Sequence, residues 1–226
     1  MGIPIPLGGT SNHFPRRVLE QLGSWDPFNV TEDADLGIRM ARANLRTEII
    51  QSTTYEEAPE RFSLWLRQRT RWLKGWMQTY LVHSRRPYQL LRELGWWHCF
   101  GLHVLMGGIL VSAIVHPLFY IVALSHLALG DFLSAPSSAV AKMLWLMAGF
   151  NLALGYLSAM VLGALAVIRR GRWSLVPYAL FMPVYWLLIS LAAYRAMWQL
   201  VRDPYLWEKT DHLSRSGRRR PRPRSQ

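Results

Sequence analysis

The sequence predicts an α/β segment followed by interfacial and membrane-crossing α-helices. Three observations carry that expectation. Residues 1–58 alternate short apolar runs with turns marked by Gly and Pro, as strands and helices do in succession. Residues 59–98 crowd Arg and Trp onto a helical repeat. Residues 99–201 contain long uncharged stretches of bilayer length, and residues 202–226 end in an Arg-rich tail.

Composition supports a membrane setting. Of 226 residues, 51% are hydrophobic, yet the formal net charge is +12. The pI is near 10.5 and the mean hydropathy is +0.07. A soluble globule rarely combines apolarity with such charge. A membrane protein with basic cytoplasmic loops does, and its interfacial belts use the 11 Trp and 9 Tyr found here. Cys99 is the one cysteine, which excludes an intrachain disulfide and a Cys-based zinc site. The His residues are scattered, with no pair four apart to hold a metal. The opening MGIPIPLGG has no basic region and no long apolar core, so it is not a signal peptide. It reads as the middle of a sheet, which makes the chain the C-terminal part of a larger enzyme.

Each element has its own signal. Residues 3–7 read as a strand entering the Gly8-Gly9 turn. Residues 14–22 read as a helix with Pro15 in its first turn and Gly23 just past its end. Residues 24–30 form a loop. Residues 32–44 fit an amphipathic helix, and residues 46–52 a strand. From residue 60 to residue 83 there is no Pro and only Gly75. Phe62, Trp65, Trp72, Trp76 and Tyr80 share one face there. Arg61, Arg67, Arg69, Arg71 and Lys74 occupy the rest, reaching for headgroups and diphosphate. Residues 101–128 and 143–168 are long enough to span, the first with a kink at Pro117. Residues 173–194 form a third apolar segment, interfacial or spanning. Basic residues flank it on both sides: Arg169, Arg170 and Arg172 before, the tail after. The positive-inside rule places both in the cytoplasm, which favours the interfacial course.

Two short strings carry chemistry. Thr31-Glu32-Asp33 puts two carboxylates at the start of a helix. About 35 residues later Gln68-Arg69-Thr70-Arg71-Trp72 puts an amide, two guanidiniums and an indole on one helix. Sugar transfer from a nucleotide donor needs these parts. A base deprotonates the acceptor hydroxyl, cations hold the leaving diphosphate, and an aromatic face stacks on a sugar ring. Each string also has an ordinary structural reading. Thr31 is a good N-cap with Glu32 and Asp33 on the helix dipole, and residues 68–72 could be a basic interfacial helix.

Together these strings resemble the membrane-embedded family 2 glycosyltransferases, the group that contains cellulose synthase and hyaluronan synthase. Gly9-Thr10-Ser11-Asn12 is similar to that family's acceptor-side loop. Thr31-Glu32-Asp33 matches its T-E-D motif, and Gln68-Arg69-Thr70-Arg71-Trp72 its Q-x-x-R-W motif. Trp207-Glu208-Lys209-Thr210-Asp211-His212 is loosely similar to its gating loop. The resemblance implies that residues 1–58 are the C-terminal part of a GT-A-type catalytic domain. It implies Asp33 as general base beside Glu32, and Thr10, Ser11, Asn12, Gln68 and Trp72 at the acceptor. Arg71, Lys209 and Thr210 would bind diphosphate and nucleotide. The expected reaction is an inverting hexosyl transfer to a polysaccharide or lipid-linked acceptor.

The family's divalent cation, Mg or Mn, binds a D-x-D motif in an upstream half. Asp33-Ala34-Asp35 overlaps T-E-D and is not that motif, so no metal ligand is expected in this chain. The donor-binding half is expected from the missing N-terminal region or a partner subunit. Other expected partners are the nucleotide sugar and anionic lipid headgroups. Nucleic acid is not expected, because no aromatic-interleaved basic surface accompanies the tail. The expected location is the inner membrane, multi-pass, with the catalytic side and C-terminus cytoplasmic. The alternative reading is a catalytically silent component of a surface-receptor or secretion complex.

Overall fold

The computed structural model describes residues 4, 6–50, 52–130, 137–204, 206 and 208. They form seven α-helices joined by short irregular segments. In order these are α1 (Arg16–Gln21), α2 (Glu32–Arg42), α3 (Phe62–Ser84), α4 (Pro87–Leu102), α5 (Gly108–Leu129), α6 (Ala139–Ile168) and α7 (Met182–Arg202). A π-helical turn, His103–Gly107, joins α4 to α5, and a 3₁₀ segment, Trp173–Phe181, precedes α7.

No strand forms among the described residues, which departs from the α/β expectation. Residues 46–50 and 52 are irregular, and Ile49 and Ile50 are exposed. A strand exists only when a neighbour pairs with its backbone. No described segment offers that ladder to residues 6–7, 46–50 or 52. Residues 3 and 5 lie outside the described residues.

The helices follow their local signals. α1 starts after Pro15, and Gly23 follows it at φ 81°. α2 carries Glu32, Asp33 and Asp35 in its first turn and Arg39 and Arg42 in its last, so both ends complement the helix dipole. Thr31 occupies the N-cap position, but its side chain makes no cap bond. The dipole part of the ordinary reading of the first string therefore holds, and the side-chain cap does not. α3 is one continuous helix. α4 turns sharply at Gly95, φ 72°, so residues 87–94 and 96–102 run in different directions. Backbone irregularity also lies at Gly95 and at the π turn, and α5 continues as a helix through Pro117. The π turn is seated on α3. Tyr80 Oη lies 2.8 Å from His103 Nδ1, and a methyl group on Gly107 would lie 2.8 Å from that hydroxyl.

Two apolar clusters hold these helices together. One joins Leu73 and Met77 of α3 to Leu110 and Ala113 of α5 and to Ala192, Ala193 and Ala196 of α7. The alanines let three backbones approach closely, which is how helices associate where lipid removes the hydrophobic drive. The other joins Ile38 of α2 to Leu90, Leu94, Cys99 and Leu102 of α4 and to Met106. Trp76 and Tyr80 border both and fuse them.

Outside these clusters the surface of α5 and α6 is apolar. α6 has no buried residue, and α5 exposes Leu118, Ile121, Val122, Leu124 and Leu127. Such a surface suits lipid and not water. Three helical stretches are long and apolar enough to cross a membrane: Pro87–Leu129, Ala139–Ile168 and Trp173–Arg202. The third is broken at Phe181 and Met182. Its 3₁₀ part packs on α6 and its α-helical part on α3 and α5. Pairings of Tyr120 with Pro183, His116 with Trp186 and Ile114 with Tyr194 set α7 antiparallel to α5.

Candidate active site

The site is built on a stripe of α3 residues four apart: Arg71, Gly75, Thr79 and His83. Residues at this spacing share one helix face, and that face receives the start of α2. Gly75 is the contact point. A methyl group there would lie 2.5 Å from Thr31 Cγ2 and Oγ1, so only glycine admits Thr31 at this depth. One turn further, Thr79 Oγ1 accepts a 2.8 Å hydrogen bond from Asn29 Nδ2. Asn29 Oδ1 in turn accepts from the backbone N–H of Thr31 at 3.0 Å. Asn29 therefore ties the entry to α2 onto α3.

The far end of the stripe is a buried polar chain. His83 Nε2 lies 2.8 Å from Asp35 Oδ1, and His83 Nδ1 lies 2.9 Å from Arg42 Nη1. A guanidinium can only donate, so Nδ1 accepts and Nε2–H donates to Asp35. Arg42 also pairs with Glu93 at 2.5 Å, and Arg39 with Asp35 at 2.7 Å. Burial alone would raise the Asp35 pKa. The His83 hydrogen bond and the Arg39 charge outweigh it and hold the carboxyl below its ordinary value. The chain fixes α2 against α3 and α4.

Asp33 is thereby held at the rim of a cleft of about 510 Å³. The cleft is lined by Gly9, Asn12, Trp25, Asp26, Glu32 and Asp33, among others. A methyl group on Gly9 would approach within 3.3 Å of Asp33 Oδ2, so the glycine loop lies directly over that oxygen. Oδ1 accepts from the backbone N–H of Ala34 at 2.8 Å. Burial raises the Asp33 pKa, and the charge of Glu32 adds to the rise. The Ala34 bond and the positive charge of Arg71 oppose it without cancelling it. A half-buried carboxylate with a raised pKa and one oxygen facing a cleft can take a proton from a bound hydroxyl.

The other sequence-predicted residues divide. Asn12 reaches the cleft and donates from Nδ2 to the carbonyl of Gly8. Thr10 is exposed beside it, and Ser11 Oγ lies 2.8 Å from Thr54 Oγ1, away from the carboxylates. Arg71 acts on Asp33 through its charge. Gln68 and Trp72 do not line the cleft. Trp72 remains 37% exposed, with the Arg69 guanidinium stacked 4.4 Å from its ring. Lys209 and Thr210 lie outside the described residues.

The approach to them is described, and it corrects the reading of Lys74. Lys74 is 1% exposed and does not reach headgroups. Its Nζ donates to the carbonyls of Asp203 at 2.6 Å and Leu206 at 2.9 Å. Gln78 donates to Pro204 O at 2.8 Å, and Arg195 pairs with Glu208 at 2.6 Å. The segment after α7 is thus pinned to the helix that carries Arg71. Two histidines of the apolar segments find partners on neighbouring helices: His103 bonds Tyr80, and His116 bonds Tyr156.

Sequence reasoning missed Asn29, Thr79 and His83. The four-residue spacing of Arg71, Gly75, Thr79 and His83 was the available signal. Among the described residues no group of three or more His, Cys, Asp or Glu side chains converges as a metal ligand set.

Residues 1–201 match the family described as Glycosyl transferase family group 2. The chain is similar to the "Probable glycosyltransferase YdaM" of Bacillus subtilis (strain 168), with 32% identity over 151 residues. That match covers 64% of this chain and 33% of the relative. It is also similar to the "Beta-monoglucosyldiacylglycerol synthase" of Synechocystis sp. (strain ATCC 27184 / PCC 6803 / Kazusa), with 30% identity over 92 residues. Here 40% of this chain and 19% of the relative are covered. The chain thus spans a third or less of the curated relatives it matches. No solved structure matches. With the family matched across every described helix but the last residue of α7, this chain belongs to the family 2 glycosyltransferases.

Proposed function

We propose that this chain carries the acceptor side of a membrane glycosyltransferase of the cellulose synthase and hyaluronan synthase type. Asp33 is the general base. It removes the proton from an acceptor hydroxyl as that oxygen attacks the anomeric carbon of a nucleotide sugar. The bond to the diphosphate breaks in the same displacement, with inversion. Arg71 neutralises the leaving diphosphate, Trp72 stacks on the acceptor sugar, and Gln68 shapes that end of the site. Glu32, Thr10, Ser11 and Asn12 border the acceptor. Lys209 and Thr210 meet the nucleotide. The donor half, and any ligands for Mg or Mn, come from outside the described residues.

The single observation behind this reading is the placement of the Asp33 carboxylate, under Gly9, on the cleft rim and within the field of Arg71. The printed name of the Synechocystis relative supports a lipid acceptor over a polysaccharide. The broken third segment supports a re-entrant course, which leaves residues 169–172 on the same cytoplasmic side as the cleft.

The test is Asp33→Asn in the full-length enzyme. Turnover should fall to background while donor binding, read by calorimetry, stays near wild type. Wild-type kcat in Asp33→Asn would remove the base assignment.

A further inference from the structure

A second cavity lies among α5, α6 and α7, away from the Asp33 cleft. It is about 180 Å³, room for more than one water-sized group. Ser112, His116 and Phe119 of α5 face Asn151 and Tyr156 of α6 across it, and Trp186 of α7 closes one end. Asn151 is the twelfth residue after Ala139 in a helix that runs to Ile168, so it sits about 18 Å from the nearer end at ~1.5 Å per residue. The cavity is therefore within the hydrocarbon depth of the bilayer.

Its polar groups are of two kinds. The first kind is satisfied within the protein. His116 Nε2 lies 2.6 Å from Tyr156 Oη, which lies 2.5 Å from Tyr120 Oη, and Tyr120 also reaches the carbonyl of Pro183. The second kind is not. The amide of Asn151 and the hydroxyl of Ser112 have no hydrogen-bond partner among the described residues, and both residues are exposed on the outer surface. An amide in hydrocarbon without a partner is costly. A polar ligand entering sideways from the lipid would relieve that cost.

The lining selects the ligand. It contains no Lys, Arg, Asp or Glu, so a phosphate or ammonium headgroup would be buried without a counter-charge. Hydroxyl and ester oxygens meet no such penalty, and Asn151 offers both a donor and an acceptor to them. The aromatic faces of Phe119, Tyr156 and Trp186 suit the adjoining apolar stem. We infer that this cavity binds the hydroxyl-bearing end of an uncharged membrane lipid, admitted laterally between α5 and α6. The site is independent of the transfer reading, because its occupancy is measured without turnover.

The test uses the full-length protein in nanodiscs with three photoactivatable, clickable lipids: diacylglycerol, a polyprenol and phosphatidylglycerol. Cross-linked peptides are mapped by mass spectrometry. Diacylglycerol or polyprenol should label peptides of α5 or α6 around Ser112 and Asn151, and whichever labels identifies the source of the hydroxyl. Phosphatidylglycerol should not label them. Asn151→Leu should cut the labelling about 3- to 15-fold, the range for one hydrogen bond in a membrane interior. Because Asn151 bonds nothing among the described residues, thermal stability should not fall. Asn151→Gln should retain part of the labelling. Equal labelling by phosphatidylglycerol, absence of labelling, or wild-type labelling in Asn151→Leu would each overturn the proposal. So would a dimer in native mass spectrometry that Asn151→Leu converts to monomer, since the partner of Asn151 would then be a second helix.

Discussion

Thr31 rests on Gly75, so closely that a single methyl group on the glycine would lie 2.5 Å from two atoms of the threonine side chain. This contact joins the two strings that carry the chemistry. It puts Asp33, two residues after Thr31, in the field of Arg71, one turn before Gly75.

Gly75→Ala should therefore separate the carboxylate from the guanidinium while keeping both. Overpacking of this kind costs about 1–3 kcal/mol. The expected result is a lower melting temperature in detergent and a larger fall in kcat/KM. Thr31→Ala in the Gly75→Ala background should recover part of both. Additive losses in that double-mutant cycle would show that the two residues do not share the contact.

The raised pKa of Asp33 fixes the sign of a pH effect. The residue is a base only when ionised, so kcat/KM of the full-length enzyme should fall as pH drops through a value above the ordinary Asp range near ~3.9. Arg71 lowers that pKa. Arg71→Gln should move the acid limb to still higher pH. A pH profile in which the limb stays in place would sever Arg71 from Asp33.

Arg71→Lys should be damaging although it keeps the charge. A planar guanidinium makes paired hydrogen bonds to diphosphate oxygens that an ammonium cannot reproduce. Losing one charged hydrogen bond of ~1.5–3 kcal/mol corresponds to about 10- to 100-fold in kcat/KM. Equal rates with Lys and Arg would be incompatible with a diphosphate contact.

His83→Leu tests the buried chain behind the site. It leaves Asp35 Oδ1 and Arg42 Nη1 without their partner, at a cost of about 1–3 kcal/mol. The folded Asp35 pKa is lowered, so its contribution is complete above the unfolded value near ~3.9 and disappears as pH falls through the folded value. Wild type and His83→Leu should therefore differ most in melting temperature near neutral pH and converge in acid. A constant gap across that range would mean that the loss is packing alone.

Lys74→Met should free the segment after α7. The carbonyls of Asp203 and Leu206 lose their donor, while α2 keeps its seat on Gly75. Hydrogen exchange should rise at Leu206 and Glu208 and stay unchanged at Ala34. Faster exchange at both places would make Lys74 a general packing residue.

The sequence by itself determined the helices and the membrane setting. Caps, glycines and periodicity placed α1, α2 and α3 within a few residues of their ends, because those signals act within one or two turns. Uncharged length marked the apolar segments for the same reason. The T-E-D and Q-x-x-R-W strings named Asp33 and Arg71 without showing that they share a face. Tertiary structure alone decided the rest. The expected strands do not form among the described residues, since pairing depends on a neighbouring backbone that no local signal can supply. Lys74 read as a headgroup-seeking cation, but two carbonyls some 130 residues away in sequence, at 203 and 206, captured it. Gly75 carried no signal in the sequence beyond being the one glycine of its helix, yet its missing Cβ is the space that Thr31 fills. Contacts of this kind depend on which surfaces meet, and a single chain's local pattern does not contain that information.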